Sequence, residues 1–145
     1  MRFLFDTDHI SIRQRQSPSE YSTVAARAAS YQTGDFAYSI VSFEEQSRGA
    51  NAYVGAAREP LEVVKRYRLL EALLVDYTGM TVLPFDVAAG SVFSRLAEAR
   101  TRVGTMDLRI ASIALSRGLI VLTRNIRDFG RVPGLVTEDW TVPAR

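Results

Sequence analysis

Short apolar runs alternate with helical patterns along almost the whole chain, and no other feature restricts the fold as much. Arg2 to Phe5, Phe36 to Val41, Thr81 to Leu83, Leu119 to Leu122 and Leu135 to Thr137 read as strands, the last at an edge. Between them, Asp8 to Gln14 reads as a short helix, and Pro18 opens a second that runs through Ala28. Ser42 starts a helix to about Gly55, and Pro60 starts another whose Leu61, Val64, Leu70, Leu73, Leu74 and Tyr77 keep a helical period up to Gly79. Asp86 caps a helix striped with Ala89, Phe93, Leu96 and Ala97, and Thr105 or Met106 begins one that Gly118 ends. Strands that alternate with helices imply an α/β fold: a mostly parallel central sheet of about five strands with helices on both faces. No repeat, low-complexity stretch or linker interrupts the pattern, so a single domain over residues 1–145 is expected.

Such a chain is long enough to bury a real core. Its 47% hydrophobic and 23% charged residues are ordinary for a soluble globular protein. There is no cysteine, which excludes disulfides, thiolate metal sites and cysteine nucleophiles. No apolar run approaches the ~18 residues of a membrane span. The apolar run Phe3, Leu4 and Phe5 reaches Asp6 after three residues, too few for the apolar centre of a signal peptide. The expectation is a cytoplasmic protein with no membrane partner. All 18 basic residues except Lys65 are arginine. Arginine grips phosphate with a planar fork, yet a GC-rich genome raises Arg and Ala together, so the bias alone proves nothing about nucleic acid.

Four acidic residues stand where an ordinary fold would rather not put a carboxylate. Asp6 ends the first strand, Glu45 and Asp107 begin the inward stripes of two helices, and Asp128 follows the fourth strand. Carboxylates gathered at strand ends repel one another unless a hard cation sits among them, and oxygen-only clusters suit Mg²⁺ or Mn²⁺. Each also has an ordinary structural role. From Glu45, steps of four and seven reach Gly49 and Ala52, the small inward face. Ser42-x-x-Glu45 also has the form of a capping box. Glu44 points to the polar face and pairs with Arg48. Asp107 lies in line with Ile110, Ala111, Ala114 and Gly118, although the helix dipole alone favours an acid in a first turn. Asp6 fits a helix N-cap equally well, and Asn125 with Asp128 fits an Asx turn. Asp107 opens the helix leading into the fourth strand, which sets it at the rim opposite the other acids unless the loop from Ala99 to Thr105 carries it back. His9 is the only histidine, so Ser-His hydrolysis and His-ligated zinc lack support.

In order along the chain, Phe3-Leu4-Phe5-Asp6-Thr7-Asp8, Ile40-Val41-Ser42-Phe43-Glu44-Glu45-Gln46-Ser47-Arg48-Gly49, Gly104-Thr105-Met106-Asp107-Leu108-Arg109-Ile110-Ala111 and Leu122-Thr123-Arg124-Asn125-Ile126-Arg127-Asp128-Phe129 resemble the PIN-domain family, and within it the toxin ribonucleases of VapC type. The resemblance implies Asp6, Glu45 and Asp107 as metal carboxylates, with Asp128 as a more variable fourth. Thr7, Ser42, Thr123 and Asn125 match the small polar residues around them. The chain departs from the family at Asp8, where asparagine is usual. The resemblance further implies an RNA substrate, a cognate antitoxin that blocks the cleft, and a homodimer. Arg48, Arg109, Arg124 and Arg127 lie close to the motif positions and suit RNA phosphates.

Two other readings compete. Phe5-Asp6-Thr7-Asp8 also looks like the paired-aspartate strand end of a HAD-type phosphatase. That mechanism and the receiver-domain fold both need a late lysine, and Lys65 comes before the third strand. The other reading is a PIN-like module that binds RNA or a partner without cutting.

Overall fold

The computed structural model describes residues 1–144. Five strands, β1 (Phe3–Phe5), β2 (Phe36–Ser39), β3 (Val82–Leu83), β4 (Ile120–Leu122) and β5 (Thr137–Glu138), form one sheet in the order β3-β2-β1-β4-β5. Every pairing is parallel; Leu4 stands opposite Ala37 on one side and Val121 on the other. Among the described residues the helices are α1 (Thr7–Arg15), α2 (Pro18–Ala28), α3 (Ile40–Gly55), α4 (Pro60–Thr78), α5 (Val87–Glu98), α6 (Thr105–Arg117) and the single turn α7 (Ile126–Phe129), besides a 3₁₀ turn at Thr33–Asp35.

The alternation of side chains along β1 divides the core. Phe3 and Phe5 face an aromatic layer with Phe36, Tyr38 and Trp140, which Ile10, Val24 and Tyr77 cover from α1, α2 and α4. Leu4 faces the other way, with Ala37 and Val121, onto Ala89 and Leu96 of α5 and Ile110, Ala111 and Ile113 of α6. Both faces of the sheet are therefore buried, as a parallel sheet requires. Among the described residues no helix is long and apolar enough to cross a membrane.

Several boundaries differ from the sequence expectation. The second strand stops at Ser39, two residues short of Val41, because the Ser39 side chain accepts the Ser42 amide at 3.0 Å and starts α3 at Ile40. Ser42 thus lies inside the helix with Ser39 as its N-cap, so the alternative of a Ser42–Glu45 capping box is not realised. The fifth strand pairs at Thr137–Glu138 rather than Leu135–Thr137, because Leu135 turns into the core while the Val136 carbonyl still accepts the Val121 amide at 2.9 Å. The Asx turn at Asn125 is present, with its side chain accepting the Asp128 amide, and it grows into α7.

Leu4 is fully buried at the centre of the sheet, whereas Val87 is 87% exposed. Leu4→Ala is expected to lower unfolding free energy in urea by about 2–5 kcal/mol. Val87→Ala should stay within roughly 0.5 kcal/mol of the parent.

Candidate active site

The strand order reverses direction between β1 and β4, and in open parallel sheets the crevice beyond such a switch point takes the ligand. Asp6 and Thr123 follow these two strands directly. The Asp6 amide continues the ladder to the Leu122 carbonyl at 2.9 Å. Its carboxylate accepts the Thr7 amide at 2.7 Å, capping α1, and the Thr123 hydroxyl at 2.8 Å. The N-cap role and the strand-end site are thus the same residue.

A cleft of about 370 Å³ opens here, lined by Asp6, Thr7, Asp8, Glu45, Asp107, Arg124 and Asn125 among others. Glu45 is half-buried and reaches it from α3, whereas Glu44 is exposed and pairs with Arg48 at 2.6 Å. Asp107 is on the same rim as Asp6, a placement the sequence had left open between the two rims. The physical reason is the Gly118 turn (φ 65°), which feeds α6 directly into β4. A helix running back along the strand it precedes has its first turn at that strand's carboxyl end. Arg100 and Arg102, both at positive φ, shape the loop before it.

Polar side chains tie these elements together. Thr7 donates to Ser42 at 3.0 Å, joining α1 to α3. Thr123 accepts the Asn125 amide at 2.9 Å. The Asn125 side-chain amide lies 3.4 Å from Asp107 and 3.1 Å from Asp128, holding the two carboxylates to one donor. Asp128 is outside the cleft lining and is also drawn to Arg131 at 3.6 Å.

Burial, and then the charge of Asp8, push the Asp6 carboxyl up from 3.8 to about 7. Asp107 is raised as well, first by burial and then by Glu45, Asp128 and Asp8. Asp6, Asp8, Glu45 and Asp107 line one cleft, and oxygen donors of this kind suit a hard divalent cation. Among the described residues no three His, Asp or Glu side chains stand at a spacing that would hold a metal ion. Several acids are instead held by separate donors, Asp6 by Thr7 and Thr123, Asp8 by the Arg124 backbone amide, Asp107 by Asn125, and Asp128 by Asn125 and Arg131.

Of the four arginines singled out, only Arg124 lines the cleft, where it pairs with Glu20 at 3.1 Å. Arg48 is occupied by Glu44, Arg109 lies over the Phe93 ring at 5.8 Å, and Arg127 is exposed. Lys65 is exposed on α4 and is not part of the cleft, so the phosphatase reading has no lysine where it needs one. Ser11, Ile12, Arg15, Ser17 and Glu20 also line the cleft and were not foreseen. Steps of three, four and seven from Asp8 reach Ser11, Ile12 and Arg15, a helical face the sequence displays.

The PIN domain matches residues 6–135, and the chain belongs to the PIN-domain family. A "tRNA(fMet)-specific endonuclease VapC" of Salmonella typhimurium is 45% identical over 65 residues, 42% of this chain and 49% of that protein. "Ribonuclease VapC2" of Haemophilus influenzae is 39% identical over 92 residues, 63% of this chain and 69% of that one. The chain spans about half the length of the first of these relatives. In the crystal structure of DNA-bound VapBC from Salmonella typhimurium, one chain superposes with a TM-score of 0.75 at 26% identity, covering 97% of this chain and 98% of that chain.

Raising the Asp6 pKa has a signed consequence for stability. Below its unfolded value of 3.8 both states bind the proton; between 3.8 and about 7 only the folded state does. Folding stability therefore falls as pH rises through that window, by roughly 3–5 kcal/mol in metal-free buffer. Asp6→Asn is expected to flatten this slope and to raise the melting temperature above pH 7, as thermal melts from pH 4 to 8 would reveal.

Proposed function

We propose that this chain is an endoribonuclease dependent on Mg²⁺ or Mn²⁺, the toxin of a VapBC-type toxin–antitoxin pair. The observation that carries the reading is the convergence of Asp6, Glu45 and Asp107, from three separate elements, on one cleft at the carboxyl rim of the sheet. Membership of the PIN family and the ribonuclease names of the relatives support it.

When bound, the divalent ion would lower the pKa of a water and neutralise phosphate charge. Asp6, Glu45 and Asp107 would hold it, with Asp128 brought in through Asn125. The Thr7 amide and Thr123 hydrogen-bond Asp6, Asn125 hydrogen-bonds Asp107 and Asp128, and Ser42 accepts the Thr7 hydroxyl behind them. Of the four motif arginines, Arg124 is the one at the cleft that can meet the RNA backbone, provided it leaves Glu20. Arg48, Arg109 and Arg127 have weaker grounds for such a role, since two are occupied elsewhere and the third is outside the cleft lining.

The partners follow from the same reading. The Salmonella neighbour is a VapBC complex on DNA, and an antitoxin whose segment covers the cleft is proposed here, together with a homodimer. RNA is the substrate class, and the initiator tRNA named for the Salmonella relative is the first RNA to assay. A module that binds RNA or a partner without cutting is the competing reading, and a cleavage assay separates the two.

Asp6→Asn and Asp107→Asn are each expected to abolish metal-dependent cleavage of labelled RNA while leaving the fold intact by circular dichroism. Glu45→Gln should be severe and Glu44→Gln mild; the reverse ranking would remove Glu45 from the site.

Metal binding can be read without activity. A ligand that binds only the folded state adds about 2.7 kcal/mol of stability at a hundredfold excess over Kd. The melting temperature of the parent should rise with Mn²⁺, and that of an Asp6→Asn, Asp107→Asn double variant much less. Equal responses would contradict a metal site at these carboxylates.

A further inference from the structure

His9 has no place in the chemistry proposed above, yet its side chain is fully buried with both ring nitrogens engaged. The Trp140 backbone N–H points at Nε2 at 3.2 Å, so Nε2 presents its lone pair. The ring proton is then on Nδ1, which faces Asp8 Oδ1 at 2.8 Å. Asp139 Oδ1 is the other charged group near the ring, 3.9 Å from Nε2, and it accepts the Thr141 amide and hydroxyl instead. A backbone amide thus sets the tautomer of the imidazole, and the imidazole donates to a carboxylate in the cleft.

Asp8 uses its second oxygen on the loop after β4. Oδ2 accepts the Arg124 amide at 2.9 Å and lies 3.4 Å from the Thr123 hydroxyl. That loop carries Thr123, which donates to Asp6, and Asn125, which sits between Asp107 and Asp128. A rotation of the Asp8 carboxylate would therefore release the loop that aligns the other acids, and would also move a charge that bears on both Asp6 and Asp107.

We propose that His9 is a positioning residue of the ribonuclease site: anchored by the Trp140 amide, it donates from Nδ1 to Asp8 and so locks the 123–125 loop that orients the acidic cluster. The proposal rests on the ribonuclease reading for its kinetic consequence, but its geometric content does not. It also gives a physical role to the departure from the usual asparagine at position 8. An ionised carboxylate can accept from the imidazole and from the loop amide at once, whereas an asparagine has one acceptor oxygen and would turn an NH₂ toward one of these donors.

Two variants divide the imidazole into its halves. An asparagine amide can occupy the place of Nδ1–H and keep a donor for Asp8, while a glutamine reaches the place of Nε2 and keeps an acceptor for Trp140. Partners that orient catalytic groups typically contribute roughly 10- to 100-fold to activity or metal affinity. His9→Gln is accordingly expected to lose roughly 10-fold or more in kcat at saturating Mn²⁺ with little change in KM. His9→Asn should retain clearly more, with melting temperatures recorded for both. Equal kcat in the two variants, or the opposite ranking, would overturn the proposal, because a purely structural histidine predicts losses that follow stability alone.

The second readout needs no activity and no variant. With one histidine in the chain, a two-bond ¹H–¹⁵N correlation spectrum of labelled protein reports its tautomer without assignment. The Nδ1–H form supports the proposal, and an Nε2–H form or an imidazolium overturns it. A parent protein that cleaves no RNA with either metal would instead remove the ribonuclease reading. The histidine spectrum would then decide by itself whether His9 orients Asp8.

Discussion

Everything at the cleft depends on the position of one carboxylate at the end of the central strand. Asp6 continues the β1–β4 ladder through its amide, caps α1 through one oxygen and accepts Thr123 through the other. Three elements are fixed against each other by a group that burial would rather see protonated. Two hydrogen bonds do not cancel that cost, since the carboxyl is still pushed up to about 7. The strain of an uncompensated charge is typical of functional positions, where stability is given up for reactivity.

The sheet, its parallel sense and the helices on both faces were legible in the alternation of apolar runs with helical periods. So was the inward phase of Glu45, because helical geometry separates adjacent residues by about 100° and left Glu44 on the solvated side. What escaped were features that depend on contacts between distant residues. Ser39 and Ser42 are both good caps on paper, and only the ladder to Val82 and Leu83 decides that the strand ends at Ser39. The rim of Asp107 stayed open in the sequence because it depends on how α6 runs back along β4. Arg109 looked available for phosphate, but its partner Phe93 is on another helix and cannot be inferred from spacing.

The electrostatic layout is narrower than the composition suggested. A chain whose basic residues are nearly all arginine brings one of the four motif arginines to the cleft, and that one is held by Glu20. Other arginines are committed to ion pairs or aromatic rings: Arg13 to Phe5 and Tyr38, Arg27 to Trp140 and Glu138, Arg66 to Tyr53 and Glu62. Arginine here serves as much to cover aromatic faces as to present charge.

The placement of β1 between β2 and β4 has a consequence in time. The strand made first on the ribosome waits for residues 120–122 before it gains its second neighbour, and the ring of Phe3 meets Trp140 only afterwards. Asp6 likewise meets Thr123 across more than a hundred intervening positions. The cleft therefore cannot assemble during synthesis before the 123–125 loop has been made. Fragments released earlier by stalled or aborted translation would carry the first acids without the loop that aligns them.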